Sequence, residues 1–156
     1  MEISGVTSSK RLEELLPLNL KAIVSQRTLM RMTFEAVGAT NWPTPLPTAE
    51  GHAPEPVLRT LTAFCYCSGL FSSREIESAA RFDANIRYLC ANDFPTWQQL
   101  WQFRRRNIAF FRETLARLFQ MVCDEIGTPV TFFSCVTEAE RRLRLAVEAD
   151  SAAMDD

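Results

Sequence analysis

Histidine is almost missing from this chain. His52 is the one imidazole in 156 residues, and it sits among prolines. Histidine supplies most acid–base, nucleophile-activating and metal-binding chemistry near neutral pH, so the chain is expected not to be an enzyme and to hold neither metal nor cofactor. Glycine is scarce too, with five in all and none grouped into a phosphate-cradling loop. Lysine is scarcer still: two, against 15 arginines. The five cysteines, Cys65, Cys67, Cys90, Cys123 and Cys135, contain no Cys-x-x-Cys pair. An odd count without ligand spacing reads as buried thiols rather than zinc ligands or disulfides. No apolar run approaches the roughly 20 residues that cross a bilayer. The start, Met1-Glu-Ile-Ser-Gly5, has no basic segment followed by an apolar one. The expectation is a cytoplasmic protein with no membrane partner.

What is present is helical. Apolar residues make up 47% and charged residues 23%, with a net charge of -2. That balance suits one globular core. Apolar residues recur at three and four almost throughout, which predicts an all-α fold, a multi-helix bundle. Four segments follow. Residues 1–42 form a helical arm, with helices over 10–16 and 19–38; in the second, Leu20, Ile23, Met30, Phe34 and Val37 lie near one face and Gly38 is the cap. Residues 43–56 hold five of the eight prolines and read as a linker or strap. Residues 57–127 are densely helical. Ser72-Ser-Arg-Glu75 and Thr96-Trp-Gln-Gln99 have the capping-box pattern, and Asp83 caps a short helix over 84–90. A helix over 107–126 turns Ile108, Phe111, Leu115, Leu118, Phe119 and Val122 inward. Residues 128–156 begin with a β-type run, Val130–Phe133. A third box, Thr137-Glu-Ala-Glu140, then opens a final helix to about Ala149, with Ala139, Leu143, Ala146 and Val147 inward and a frayed acidic tail behind it.

Charge is unevenly spread. Residues 96–120 carry Arg104, Arg105, Arg106, Arg112 and Arg117 against Glu113 alone, five less one, or +4. Residues 137–156 carry three arginines and six acids, or -3. A local basic face in a net-negative chain is the footprint expected of phosphate binding. On the helix from Thr96 to Arg106, Trp97, Leu100 and Phe103 share the inward side. Gln98, Gln102 and Arg105 share the other. Glutamine matches the adenine edge in the major groove, and arginine matches guanine or phosphate. A solvated polar face on an ordinary core helix is the competing explanation of the same pattern.

Residues 54–126 also resemble the N-terminal domain of bacterial insertion-sequence DDE transposases, the InsH-like group. The matching pieces are Pro56-Val-Leu-Arg-Thr-Leu61, Gly69-Leu-Phe-Ser-Ser-Arg-Glu-Ile-Glu77, Arg81-Phe-Asp-Ala-Asn-Ile-Arg-Tyr-Leu89 and Phe103-Arg-Arg-Arg-Asn107. The resemblance implies a helix-turn-helix-like unit that recognises double-stranded DNA. Arg74 and Glu77 would lie in its first helix, Phe103 would be a core anchor, and Arg104, Arg105 and Arg106 would meet backbone phosphate. The expected contact set is Gln98, Gln99, Gln102, Arg104, Arg105, Arg106, Arg74 and Arg112. Family members often carry small Ser or Thr residues before the Phe-Arg-Arg-Arg run, where this chain has Trp97-Gln-Gln-Leu-Trp-Gln102, so the recognition surface is changed. They continue into a catalytic domain whose three carboxylates hold metal ions on a sheet. No such sheet follows here, so a non-catalytic DNA-binding protein is expected, with a homodimer or protein partner a companion expectation. The alternative is a helical interaction module that does not bind DNA.

Overall fold

The computed structural model describes residues 12–154. The start of the expected 10–16 helix and the end of the acidic tail lie outside the described residues. Helix α1 is Leu12–Leu15, α2 Gln26–Ala39, α3 Glu55–Cys67, α4 Ser73–Phe82, α5 Ala84–Cys90, α6 Trp97–Arg106, α7 Ile108–Ile126 and α8 Phe132–Met154, with a 3-10 turn at Leu20–Ala22. Among the described residues there is no strand, only a single bridge between Asn19 and Ser68. The fold is all-α. No helix of the described chain is long and apolar enough to cross a membrane.

Local chemistry sets most boundaries. Ser72 Oγ accepts from the Glu75 amide at 3.3 Å, and Thr96 Oγ1 accepts from the Gln99 amide at 3.2 Å. Asp83 caps α5 through the amides of Asn85 and Ile86. Each such cap satisfies a donor that the first helical turn leaves unpaired. Gly69 ends α3 at φ +82, and a Cβ there would stand 3.5 Å from the backbone of Leu18 and Asn19. Only glycine takes that conformation without strain.

Both ends of α2 and both ends of α8 differ from expectation. Residues 19–38 do not form one helix: Asn19 caps the 3-10 turn, and α2 starts anew at Ser25, whose Oγ accepts from the Thr28 amide. Gly38 is not a cap, since α2 runs on to Ala39. The buried stripe of α2 is Leu29, Met32, Thr33 and Ala36, which leaves Phe34 exposed, and Ile23 at the end of the 3-10 turn is exposed as well. The Val130–Phe133 run is no strand. Thr131 Oγ1 accepts from the Ser134 amide at 3.1 Å and α8 begins beside it, while Thr137 lies inside the helix and bonds the Phe133 carbonyl. A four-residue β-type run with no partner strand yields to the cap that extends a 23-residue helix. The helix also carries residues 151–154, expected to fray, and Ile108 and Val147, expected inward, are exposed.

One buried cluster runs from Leu12 to Ala146 and draws on all four sequence segments. α3 is its axis, buried on nearly every side from Leu58 to Cys67. α7 and α8, joined by a short turn at Gly127, make the most extensive helix pair. Trp42, just ahead of the proline strap, closes the core. Its ring stacks on Phe103 and Phe110 and meets Phe111 edge-on at 5.0 Å. Phe103 and Phe111, both fully buried, each contribute roughly 1.5–3 kcal/mol.

Candidate functional site

Helix α6 carries most of the expected contacts, and its 100° step per residue divides them among three sides. Leu100, Phe103 and Arg104 face the interior. Gln99 and Arg106 lie on a flank under the proline strap. Gln98, Gln102 and Arg105 form the exposed ridge between that flank and the two tryptophans, Trp97 and Trp101.

Arg104 is therefore not a phosphate contact. It is 2% exposed and ion-paired with Asp150 of α8. The same carboxylate accepts from the Ser73 amide at 2.6 Å and the Ser73 hydroxyl at 2.9 Å. One acid thus ties α4, α6 and α8 together. Burial alone would lower the affinity of Arg104 for its proton, but Tyr66 and Asp150 beside it outweigh that and hold the guanidinium above its ordinary range. The reason for the misplacement is rotation: residue 104 follows Phe103 on the inward side, whereas 105 has turned out to solvent.

Gln99 is also spent internally. Its Nε2 donates to the Ala53 carbonyl at 2.6 Å and its Oε1 accepts from the Ala53 amide at 3.2 Å, clamping the strap on α6. Arg106 reaches Glu55 at 3.3 Å. A cavity of about 150 Å³ lies between strap and helix, with Gln102 on its edge. Arg112 belongs to a different place, a groove between α7 and α8, where it stands 4.0 Å from Glu140.

What the fold does assemble is a row of arginines on aromatic rings. The Arg74 guanidinium of α4 lies 4.5 Å from the Trp97 ring centre, and Arg105 lies 4.5 Å from Trp101. Arg81 and Arg87, at 5.7 and 5.9 Å, lie over Phe94. All four are exposed, and none has a carboxylate within ion-pair distance among the described residues. The acids of the same stretch are Glu75, Glu77, Asp83 and Asp93, and Asp83 is engaged as the α5 cap. Stacking covers one face of a guanidinium and leaves its in-plane N–H donors free. Sequence reasoning did not single out Arg81, Arg87 or Phe94 as contacts. Only the Trp101–Arg105 pair, at i and i+4 on one helix, carried a local signal; Arg74 meets Trp97 where α4 packs on α6, and Arg81 and Arg87 meet Phe94 in the turn ahead of α6.

The five cysteines are buried free thiols. Among the described residues no group of three or more His, Cys, Asp or Glu is placed to hold a metal ion. No protein-family model, curated protein or solved structure matches the chain.

Proposed function

We propose that this chain is a non-catalytic DNA-binding protein of transposase-derived type, gripping duplex DNA with the α4–α6 unit. In this reading α6 is the recognition helix, as in a helix-turn-helix-like unit. Arg74, Arg81, Arg87 and Arg105 meet phosphates, and Gln98 and Gln102 meet base edges. The observation that carries it is the row of four exposed guanidiniums, without an ion-pair partner among the described residues, each within 6 Å of the ring centre of Phe94, Trp97 or Trp101. The likeness of residues 54–126 to the InsH-like N-terminal domains supports it, with the contact shifted from the Arg104–Arg106 run to this row.

Fluorescence anisotropy with a labelled duplex at two salt concentrations tests the proposal. Binding should weaken steeply between about 50 and 200 mM salt. Arg74→Ala, Arg81→Ala, Arg87→Ala and Arg105→Ala should each reduce the salt slope by about one. Arg112→Ala should leave it unchanged. A chain that binds no duplex at about 50 mM salt is not a DNA-binding protein of this kind.

A second reading, a protein-interaction module, is favoured by the α7–α8 groove of about 310 Å³. Its exposed Ile108 and Val147 are rimmed by Arg112, Arg144, Glu140 and Glu148.

A further inference from the structure

A third concavity adjoins the arginine row. Phe34 of α2, with Arg87, Tyr88 and Leu89 of α5 and the turn Ala91–Asn92, lines an open depression of about 490 Å³. Two of its walls are aromatic side chains left in solvent, Phe34 at 51% and Tyr88 at 72% exposure. Neither ring stacks on another ring among the described residues. Phe34 is the residue that helical periodicity would have turned inward, so the outward ring is not accounted for by core packing. The one charged lining residue is Arg87, which also lies over Phe94 in the row described above. The third wall is the turn at Ala91 and Asn92, both with left-handed backbone at φ 48 and 71.

We propose that this depression receives one unstacked nucleobase, so that the preferred ligand is DNA carrying an unpaired base or a single-stranded end. The inference rests on the DNA-binding reading and names its substrate class. Aromatic side chains stack on any base, because every base has a π-face. A base inside an intact duplex has both faces covered, so Phe34 and Tyr88 gain nothing until a base leaves the stack. Arg87 supplies the phosphate partner and joins the depression to the arginine row, so a backbone held there delivers its next base to the rings. Asn92 adds an amide with both donor and acceptor, the complement of a base edge. The absence of any acid among these lining residues favours an anionic nucleotide over an apolar peptide or a second copy of the chain.

The test uses the full chain and three labelled probes: a blunt duplex, the same duplex with a short single-stranded tail, and the tailed duplex with 2-aminopurine in the tail. The tailed duplex should bind roughly tenfold more tightly than the blunt one, with 2-aminopurine fluorescence quenched on binding. Tyr88→Ala and Phe34→Ala should abolish both the preference and the quenching while blunt-duplex affinity stays unchanged. Tyr88→Phe should retain both. Arg74→Ala should weaken blunt and tailed probes alike. Equal affinity for blunt and tailed probes, or a preference that survives Tyr88→Ala and Phe34→Ala together, overturns this inference and leaves the duplex proposal standing. Failure of every probe to bind overturns both.

Discussion

Arg104 and Arg105 are chain neighbours with the same chemistry, yet one is enclosed with a carboxylate and the other lies on a tryptophan in solvent. The cysteines show the same control of reactivity by placement. Burial pushes the thiols of Cys67 and Cys135 up to about 12 and that of Cys90 up to about 11, and raises Cys65 and Cys123 as well. In the unfolded chain a thiol titrates near roughly 8.5. Below that pH both states keep their protons and the thiols' contribution to stability is fully present. As pH rises toward 11–12 the unfolded chain sheds protons that the folded chain retains. Stability is then lost at about 1.4 kcal/mol per pH unit for each such thiol. Urea unfolding should accordingly show a lower midpoint at pH 9.5 than at pH 7.5. At pH 8 a disulfide-exchange reagent should find no fast-reacting thiol in the folded protein and all five in denaturant. A stoichiometric fast thiol in the folded state would contradict the buried arrangement.

At the scale of the element, the junction of α4, α6 and α8 is held by a buried ion pair. Such a pair is costly to break and cheap to replace. Arg104→Ala or Asp150→Ala alone should destabilise the protein by about 3–5 kcal/mol, because each strands a buried charge. The double change Arg104→Met with Asp150→Leu should recover only part of that loss, measured by chemical denaturation as a double-mutant cycle, because the buried Ser73 amide and hydroxyl lose their acceptor. DNA affinity of the double variant should match the wild type, which separates a structural arginine from a phosphate contact. The Ser72, Asp83 and Thr96 caps were legible in the sequence because capping is local, spanning two or three residues. Thr137 shows where that signal ends: its box pattern is equally compatible with a helix interior, and the upstream Thr131 won the terminus. The division of Arg104 from Arg105 was less legible. Three adjacent arginines look like one patch until rotation parts them, and the acid that claims Arg104 lies 46 residues away. The Arg81 and Arg87 contacts with Phe94 were hidden likewise, since they depend on how α5 and the following turn meet.

Across the whole molecule, α8 acts as a keel and not as a detachable tail. Near its C-terminus Asp150 holds α4 and α6. At its middle, fully buried Arg142 donates to the carbonyls of Leu18 at 2.7 Å, Tyr66 at 2.8 Å and Pro17 at 2.9 Å, and to Glu138 at 2.8 Å. Its guanidinium also lies 5.0 Å from the Phe119 ring centre. One side chain thus joins the N-terminal segment, the end of α3, α7 and α8. Arg142→Ala would strand three carbonyls and leave Glu138 to Arg141 alone, a loss of about 3–5 kcal/mol. That is a large share of the roughly 5–15 kcal/mol that holds a domain together. Arg142→Lys should recover only part of it, because an ammonium cannot reproduce the planar fork of donors. The acidic C-terminal segment therefore cannot serve as a lid whose release frees Arg104 for DNA, since removing it opens the core. A chain ending at Thr128 should lose cooperative thermal unfolding by circular dichroism and lose duplex binding with it. Should that truncated chain stay folded and bind DNA more tightly than the full one, α8 is an inhibitory cover and the keel assignment fails.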